Sequence, residues 1–216
     1  MKRQFAVLGL GRFGSNLAIH LAQKGYPVLA LDKEEKLVQD CADCVTLARM
    51  LDCTDLEALR EVGVANCDVA VVAMGHDLES SILSVVAVKE LGVAKVIAKA
   101  MGDIHGKILL KVGADEVVYP EKDMAIRLAN RLTFSNLLDF IELSPEYSLA
   151  EEKAPSRFIG KTVTELNSRQ ESGLSIVAIK HNDHIMIGPT GNHRIESGDA
   201  LVIIGETAKV NAFIKD

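Results

Sequence analysis

The chain has no surplus of positive charge: 24 Lys and Arg stand against 30 Asp and Glu, a formal net charge of −6. Without that surplus there is little to neutralise a phosphate backbone or an anionic lipid surface, which argues against a general nucleic-acid binder or direct membrane binding. No uninterrupted apolar run reaches the length of a bilayer span, and the start Met-Lys-Arg-Gln-Phe lacks the apolar stretch of a signal peptide. These absences predict a cytoplasmic protein that reaches a membrane, if at all, through a partner. Cysteine is scarce, with residues at 41, 44, 53 and 67 and a single C-x-x-C. A strand expected over Cys44–Leu47 begins at Cys44 and leaves Cys53 beyond its far end; the run Val45 to Met50 between them sets the two sulfurs about 20 Å apart at ~3.3 Å per residue. One tetrahedral zinc site cannot use both. The cysteines therefore read as reduced, partly buried thiols. A Walker A sequence and a G-x-S-x-G elbow are both missing, as is a Tyr-x-x-x-Lys pair.

What is present is ordinary globular composition, 48% hydrophobic and 25% charged over 216 residues, enough for one large domain or one large and one small. The chain is organised around Phe5-Ala-Val-Leu-Gly9-Leu-Gly11-Arg12-Phe13-Gly14. An apolar run enters a G-x-G-x-x-G turn and a helix-like pattern leaves it. Gly9 suits the tight turn, Gly11 a close approach of pyrophosphate to the backbone, and Gly14 close packing of helix on strand. The helix start then offers unpaired N–H groups and a positive dipole end to phosphates. Arg12 in that first turn opposes the dipole by roughly 0.3–1 kcal/mol. A cation there makes sense beside a phosphate, more so for a triphosphate than for NAD; otherwise it points to solvent.

Apolar runs and helical stripes alternate onward. A second strand over Pro27–Leu31 ends at Asp32, placed to accept hydrogen bonds from ribose hydroxyls or to cap the next helix. Asp52-Cys53-Thr54 follows the third strand; Asp52 either meets the edge of a purine or caps a helix over Leu56–Val62. Val69–Ala73 reads as a strand covered on both faces and ends in Met74-Gly75-His76-Asp77. Two further units bring Lys99 to a strand's carboxyl end, where it reaches phosphates or pairs with an acid. Six β-units of this kind predict a doubly wound parallel Rossmann-type α/β sheet of order 3-2-1-4-5-6, with the ligand over strands 1 and 4.

After Pro120, Glu121–Phe140 reads as a long helix or two linked helices. Its apolar surplus at Leu128, Leu132, Leu137, Leu138 and Ile141 predicts packing on another subunit or domain. The expected divisions are 1–140, a linker over 141–156, and a small α+β C-terminal lobe over 157–216. In that lobe a short helix Val163–Asn167 precedes strands near 175–180, 184–187 and 200–204, a turn at Asn182-Asp183, and a final helix over Ala208–Ile214.

Together these stretches resemble the RCK-type regulatory subunit of Ktr/Trk potassium uptake systems. The resemblance rests on Gly9–Gly14, Asp32, Asp52-Cys53-Thr54, Lys99 and Val112-Gly-Ala-Asp115. Above all it rests on Pro120-Glu-Lys-Asp-Met124, with Gly173–Lys180, Pro189 and Ser197–Gly205 in the second lobe. It implies an RCK-N domain that takes ATP, ADP or NAD(H), followed by an RCK-C lobe. It further implies a homo-oligomer, dimers building an octameric ring, docked at the inner face of the cell membrane on a potassium-translocating subunit. The nucleotide site it implies comprises Gly9, Gly11, Arg12, Phe13, Gly14, Asp32, Lys33, Asp52, Cys53, Thr54, Ala73, Met74, Gly75, Lys99 and Glu121. Glu121 falls near the terminal phosphate and a divalent cation, Mg or Ca; as a bare feature it simply favours a helix start. Cyclic di-AMP would bind the second lobe near His181 and Pro189.

The alternative in another class is a small NAD-dependent oxidoreductase, which needs groups to polarise a carbonyl and move a proton at the nicotinamide. His76 is the best candidate for that role. The expected function, with the resemblance, is a non-catalytic nucleotide sensor and gating subunit that regulates potassium uptake.

Overall fold

The computed structural model describes residues 2–75, 77–133, 137–167, 173–182 and 184–215. The chain forms two compact units, Met1–Lys122 and Asp123–Asp216.

In the first unit, strands and helices alternate as the apolar pattern dictates. They run β1 (Phe5–Leu8), α1 (Arg12–Gln23), β2 (Val28–Asp32), α2 (Glu35–Ala42), β3 (Leu47–Met50) and α3 (Leu56–Glu61). Then follow β4 (Val69–Val72), α4 (Leu78–Glu90), β5 (Lys95–Lys99), α5 (Asp103–Lys111) and β6 (Glu116–Val118). All six strands are parallel, in the order β3-β2-β1-β4-β5-β6. Alternation within β1 explains the two-sided burial. Ala6 and Leu8 join Leu59, Val85, Val88 and Leu109 on one face, while Val7 joins Ala18, Val38 and Cys41 on the other. The winding reverses between β1 and β4, and the carboxyl ends of those strands open a crevice there.

Three expectations are corrected. The third strand is Leu47–Met50 rather than Cys44–Leu47, because Leu29 to Asp32 pair with Leu47 to Met50. At this sheet edge the strand is only half buried, so burial did not mark its ends, and Cys44 falls in the preceding turn. The helix expected over Glu121–Phe140 stops early: α6 is Pro120–Thr133, and β7 is Leu137–Glu142. A short apolar run reads equally well as helix or strand, and pairing with β8 (Tyr147–Lys153) decides it. The expected linker over 141–156 therefore holds the end of β7 and all of β8. Its charges misled, since Ser148, Ala150 and Glu152 alternate inward along the strand.

The second unit also contains α7 (Val163–Asn167), β9 (Leu174–His181), β10 (His184–Ile187), β11 (Ala200–Glu206) and α8 (Thr207–Lys215). Its sheet is antiparallel throughout, in the order β10-β9-β11-β8-β7. Ala150, Phe158, Ile179, Leu201, Ile203 and Val210 form its core. Asn182, at φ 52°, makes the expected turn after β9. Among the described residues no helix is long and apolar enough to cross a membrane.

Candidate nucleotide site

The glycine turn after β1 is built for close approach. Gly9 has φ +93°, and a Cβ there would lie 2.8 Å from Met74 Cγ. At Gly14 a Cβ would overlap the Gly9 carbonyl oxygen, so α1 rests directly on the turn. Gly11 differs: it is the N-cap of α1 at φ −61°, and a Cβ would meet nothing within 4 Å. No side chain caps α1, and its first turn carries no acid. The orphan N–H groups and dipole of a 12-residue helix therefore face open space. The exposed Arg12 guanidinium makes no ion pair among the described residues.

Asp32, the last residue of β2, ties two loops together. Its Oδ2 accepts the Leu10 amide at 2.6 Å and its Oδ1 the Glu34 amide at 2.9 Å. The N-cap of α2 is Glu34, so Asp32 steadies the loop without being the cap. Each of its oxygens keeps a second lone pair. Asp52 is not a helix cap either. Its Oδ1 accepts the Thr54 amide at 2.9 Å and hydroxyl at 2.8 Å, while Asp55 caps α3 through Glu57 and Ala58. The two bonds from Thr54 hold the Asp52 carboxyl below its usual range. Cys53 is buried, its thiol pushed up to about 12 by burial, and contributes shape rather than reactivity.

Beyond β4, Ala73 donates its amide to Leu8 at 2.7 Å, which joins the loops over β1 and β4. Asp77 caps α4, taking the Ser80 amide at 3.0 Å and hydroxyl at 2.6 Å; these bonds lower its carboxyl. Lys33 Nζ lies 3.9 Å from Asp77. Lys99, buried at the end of β5, pairs with Glu121 at 2.6 Å, and its Nζ lies 5.9 Å from the Phe13 ring centre. Of the two readings of Lys99 the structure holds the acid pair, and that pair borders the crevice.

One cavity of about 710 Å³ gathers Gly9, Gly11, Arg12, Phe13, Asp32, Lys33, Asp52, Cys53, Ala73, Met74, Gly75, Lys99 and Glu121. Gly14 and Thr54 stand behind the wall, one supporting the turn and the other orienting Asp52. Leu37, Asp77 and Ser80 also line the cavity, though the sequence pattern assigned none of the three to a site. Asp77 with Ser80 three residues on, just past a strand end, was the available signal. His76 lies outside the described residues. Among those described, no His or Tyr lines the cavity. Nor does any group of three or more His, Cys, Asp or Glu side chains among them suit a metal ion.

In the second unit His181 Nδ1 lies 2.6 Å from Asp199 Oδ1, and Asp199 Oδ2 accepts the Glu196 amide at 2.8 Å. Ile179, His181, His184, Ile185, Met186, His193, Glu196 and Asp199 line a cavity of about 490 Å³. Pro189 is not part of that lining.

Comparison with known proteins agrees with this architecture. The TrkA-N domain model matches residues 5–120 and the TrkA-C domain model residues 149–216. "Ktr system potassium uptake protein C" of Bacillus subtilis (strain 168) is 40% identical over 215 residues, covering 100% of this chain and 97% of the relative. The solved GsuK channel bound to NAD is 28% identical with a TM-score of 0.57; the match covers 99% of this chain and 38% of the channel chain. The GsuK structure bound to ADP is 28% identical with a TM-score of 0.53, over 60% of this chain and 34% of that one. The present chain thus spans well under half of those channel chains. By its paired TrkA-N and TrkA-C domains and its full-length likeness to a Ktr protein, the chain belongs to the RCK-type family of Ktr/Trk potassium uptake proteins.

Proposed function

We propose that the chain is a nucleotide-responsive subunit that gates a potassium-translocating membrane protein by binding rather than by catalysis. One observation carries this reading: an uncapped, acid-free helix start at Gly11, with Arg12 beside it in no ion pair among the described residues and Asp32 across the same cavity. Phosphates meet the helix N-terminus, ribose hydroxyls meet Asp32, and the base lies toward Leu37, Asp52 and Cys53. The NAD and ADP held by the GsuK structures support an adenine nucleotide as the ligand. The oxidoreductase alternative gains no support from these relatives. Glu121 is engaged by Lys99, so a divalent cation there would have to displace that ammonium and take further ligands from bound phosphates.

The assembly is proposed as a homo-oligomeric ring on the inner face of the membrane. It is supported by Met124, Ile126, Leu128 and Leu132, large apolar side chains that α6 leaves exposed. Cyclic di-AMP at the cavity beside His181 remains the proposed second-lobe effector.

The test pairs binding with flux. ATP or ADP at a hundred times its Kd stabilises the protein by about 2.7 kcal/mol. It also changes potassium flux through liposomes holding the Ktr-type membrane partner. Melting curves unmoved by ATP, ADP and NADH overturn the reading.

A further inference from the structure

The C-x-x-C is the part of the sequence pattern that the nucleotide site leaves unused. Cys41 lies in the last turn of α2, 1% exposed, packed in the cluster of Val28, Ala30 and Val38. Cys44 lies in the turn that follows and is exposed. The Cys44 amide donates to the Cys41 carbonyl at 3.0 Å, closing a four-residue turn. Such a turn keeps its end Cα atoms within about 7 Å, and a disulfide spans about 4.4–6.8 Å. One cysteine is open to solvent while its neighbour is shielded, the arrangement of an attacking thiol and a resolving one.

We propose that Cys41 and Cys44 form a reversible dithiol–disulfide couple that reacts with low-molecular-weight disulfides. The Cys44 thiolate attacks one sulfur of the external disulfide, forming a mixed disulfide and expelling a thiolate that takes up the proton Cys44 lost. The Cys41 thiolate then attacks Cys44 Sγ, and the second external thiolate leaves with the proton from Cys41. The protein dithiol is oxidised by two electrons, and the external disulfide is reduced to two thiols.

Burial first, then the neighbouring Cys44, Asp40 and Asp32, push the Cys41 thiol up. A disfavoured thiolate at the resolving cysteine makes the couple hold its disulfide more firmly, the reverse of strongly oxidising couples with stabilised thiolates. Cys53 and Cys67 are both buried, their thiols pushed up to about 12 and about 11, so they stay outside the exchange.

The test treats the reduced full-length protein with glutathione disulfide, quenches in acid, alkylates the remaining thiols and maps peptides by mass. The expected result is loss of two of the four thiols, both from the 41–44 peptide. The product is two hydrogens lighter and is restored by dithiothreitol. Cys41→Ser should instead trap one glutathionyl group on Cys44, and Cys44→Ser should lose no thiol. Cys44 is exposed, so its variant keeps the test sound even if the core variant folds poorly. A lasting glutathione adduct on wild-type Cys44, equal loss at all four cysteines, or thiol loss in Cys44→Ser overturns the proposal.

Discussion

Lys99 Nζ sits 2.6 Å from Glu121 Oε1 at the edge of the glycine-turn cavity, the lysine buried and the glutamate largely exposed. A phosphate arriving there competes with a carboxylate already in place. The ammonium is fixed by β5, whereas Glu121 lies in the first turn of α6. Glu121→Gln keeps the shape and removes the competing charge. It is expected to tighten ADP by about fivefold, roughly 1 kcal/mol. Lys99→Met should weaken ADP by about tenfold or more, since a charge-assisted bond to phosphate is lost. Calorimetric titration of both variants checks this, and equal weakening by both would sink the competition argument.

Gly11 and Gly14 make a second, sharper contrast. A methyl at Gly14 overlaps the Gly9 carbonyl, so Gly14→Ala must push α1 off the sheet; a loss of several kcal/mol of stability, or no soluble protein, is expected. A methyl at Gly11 meets nothing, and its backbone is extended, so Gly11→Ala should melt within about 0.5 kcal/mol of wild type. Yet it fills the space where phosphate would come closest. Nucleotide affinity should fall while the melting temperature holds. Undiminished ADP binding in Gly11→Ala would show that phosphates lie elsewhere.

Arg12 tests the identity of the ligand. Its guanidinium stands in the first turn of α1, which carries no acid. Arg12→Ala should cost ATP about tenfold in Kd and NAD about threefold or less, because only ATP brings a third phosphate. Parallel titrations of the two ligands decide it, and equal losses refute the extra-phosphate reading.

These contrasts also show which parts were readable in advance. That these residues share one crevice was legible because each wall is local: a glycine spacing, an acid at one strand end, a lysine at another. The strand order followed from alternation alone, as the parallel sheet buries both faces. What escaped was set by distant partners. Leu137 to Glu142 become strand only by pairing with β8, and the edge position of β3 blurs its ends. Asp52 and Asp55 are two acids three residues apart, and only the structure assigns the cap to the second. Glu152 read as part of a charged linker, whereas strand alternation carries it inside.

That glutamate yields the last prediction. Glu152 is 1% exposed, opposite Leu201 on β11, and among the described residues its Oε2 has no hydrogen-bond partner. Burial raises its carboxyl from 4.5 to about 7, only partly offset by the charge of Arg157. Because the folded form holds this proton more tightly than the unfolded chain, protonation favours folding. The stabilisation is complete below pH 4.5 and disappears as pH rises through about 7. At 1.36 kcal/mol per pKa unit the loss amounts to about 3 kcal/mol. Glu152→Gln keeps the volume and abolishes the titration. Urea unfolding at pH 5 and pH 8 should therefore show the variant gaining about that much on wild type at the higher pH. Parallel pH profiles for the two proteins would mean that the carboxyl finds a partner or water when ionised.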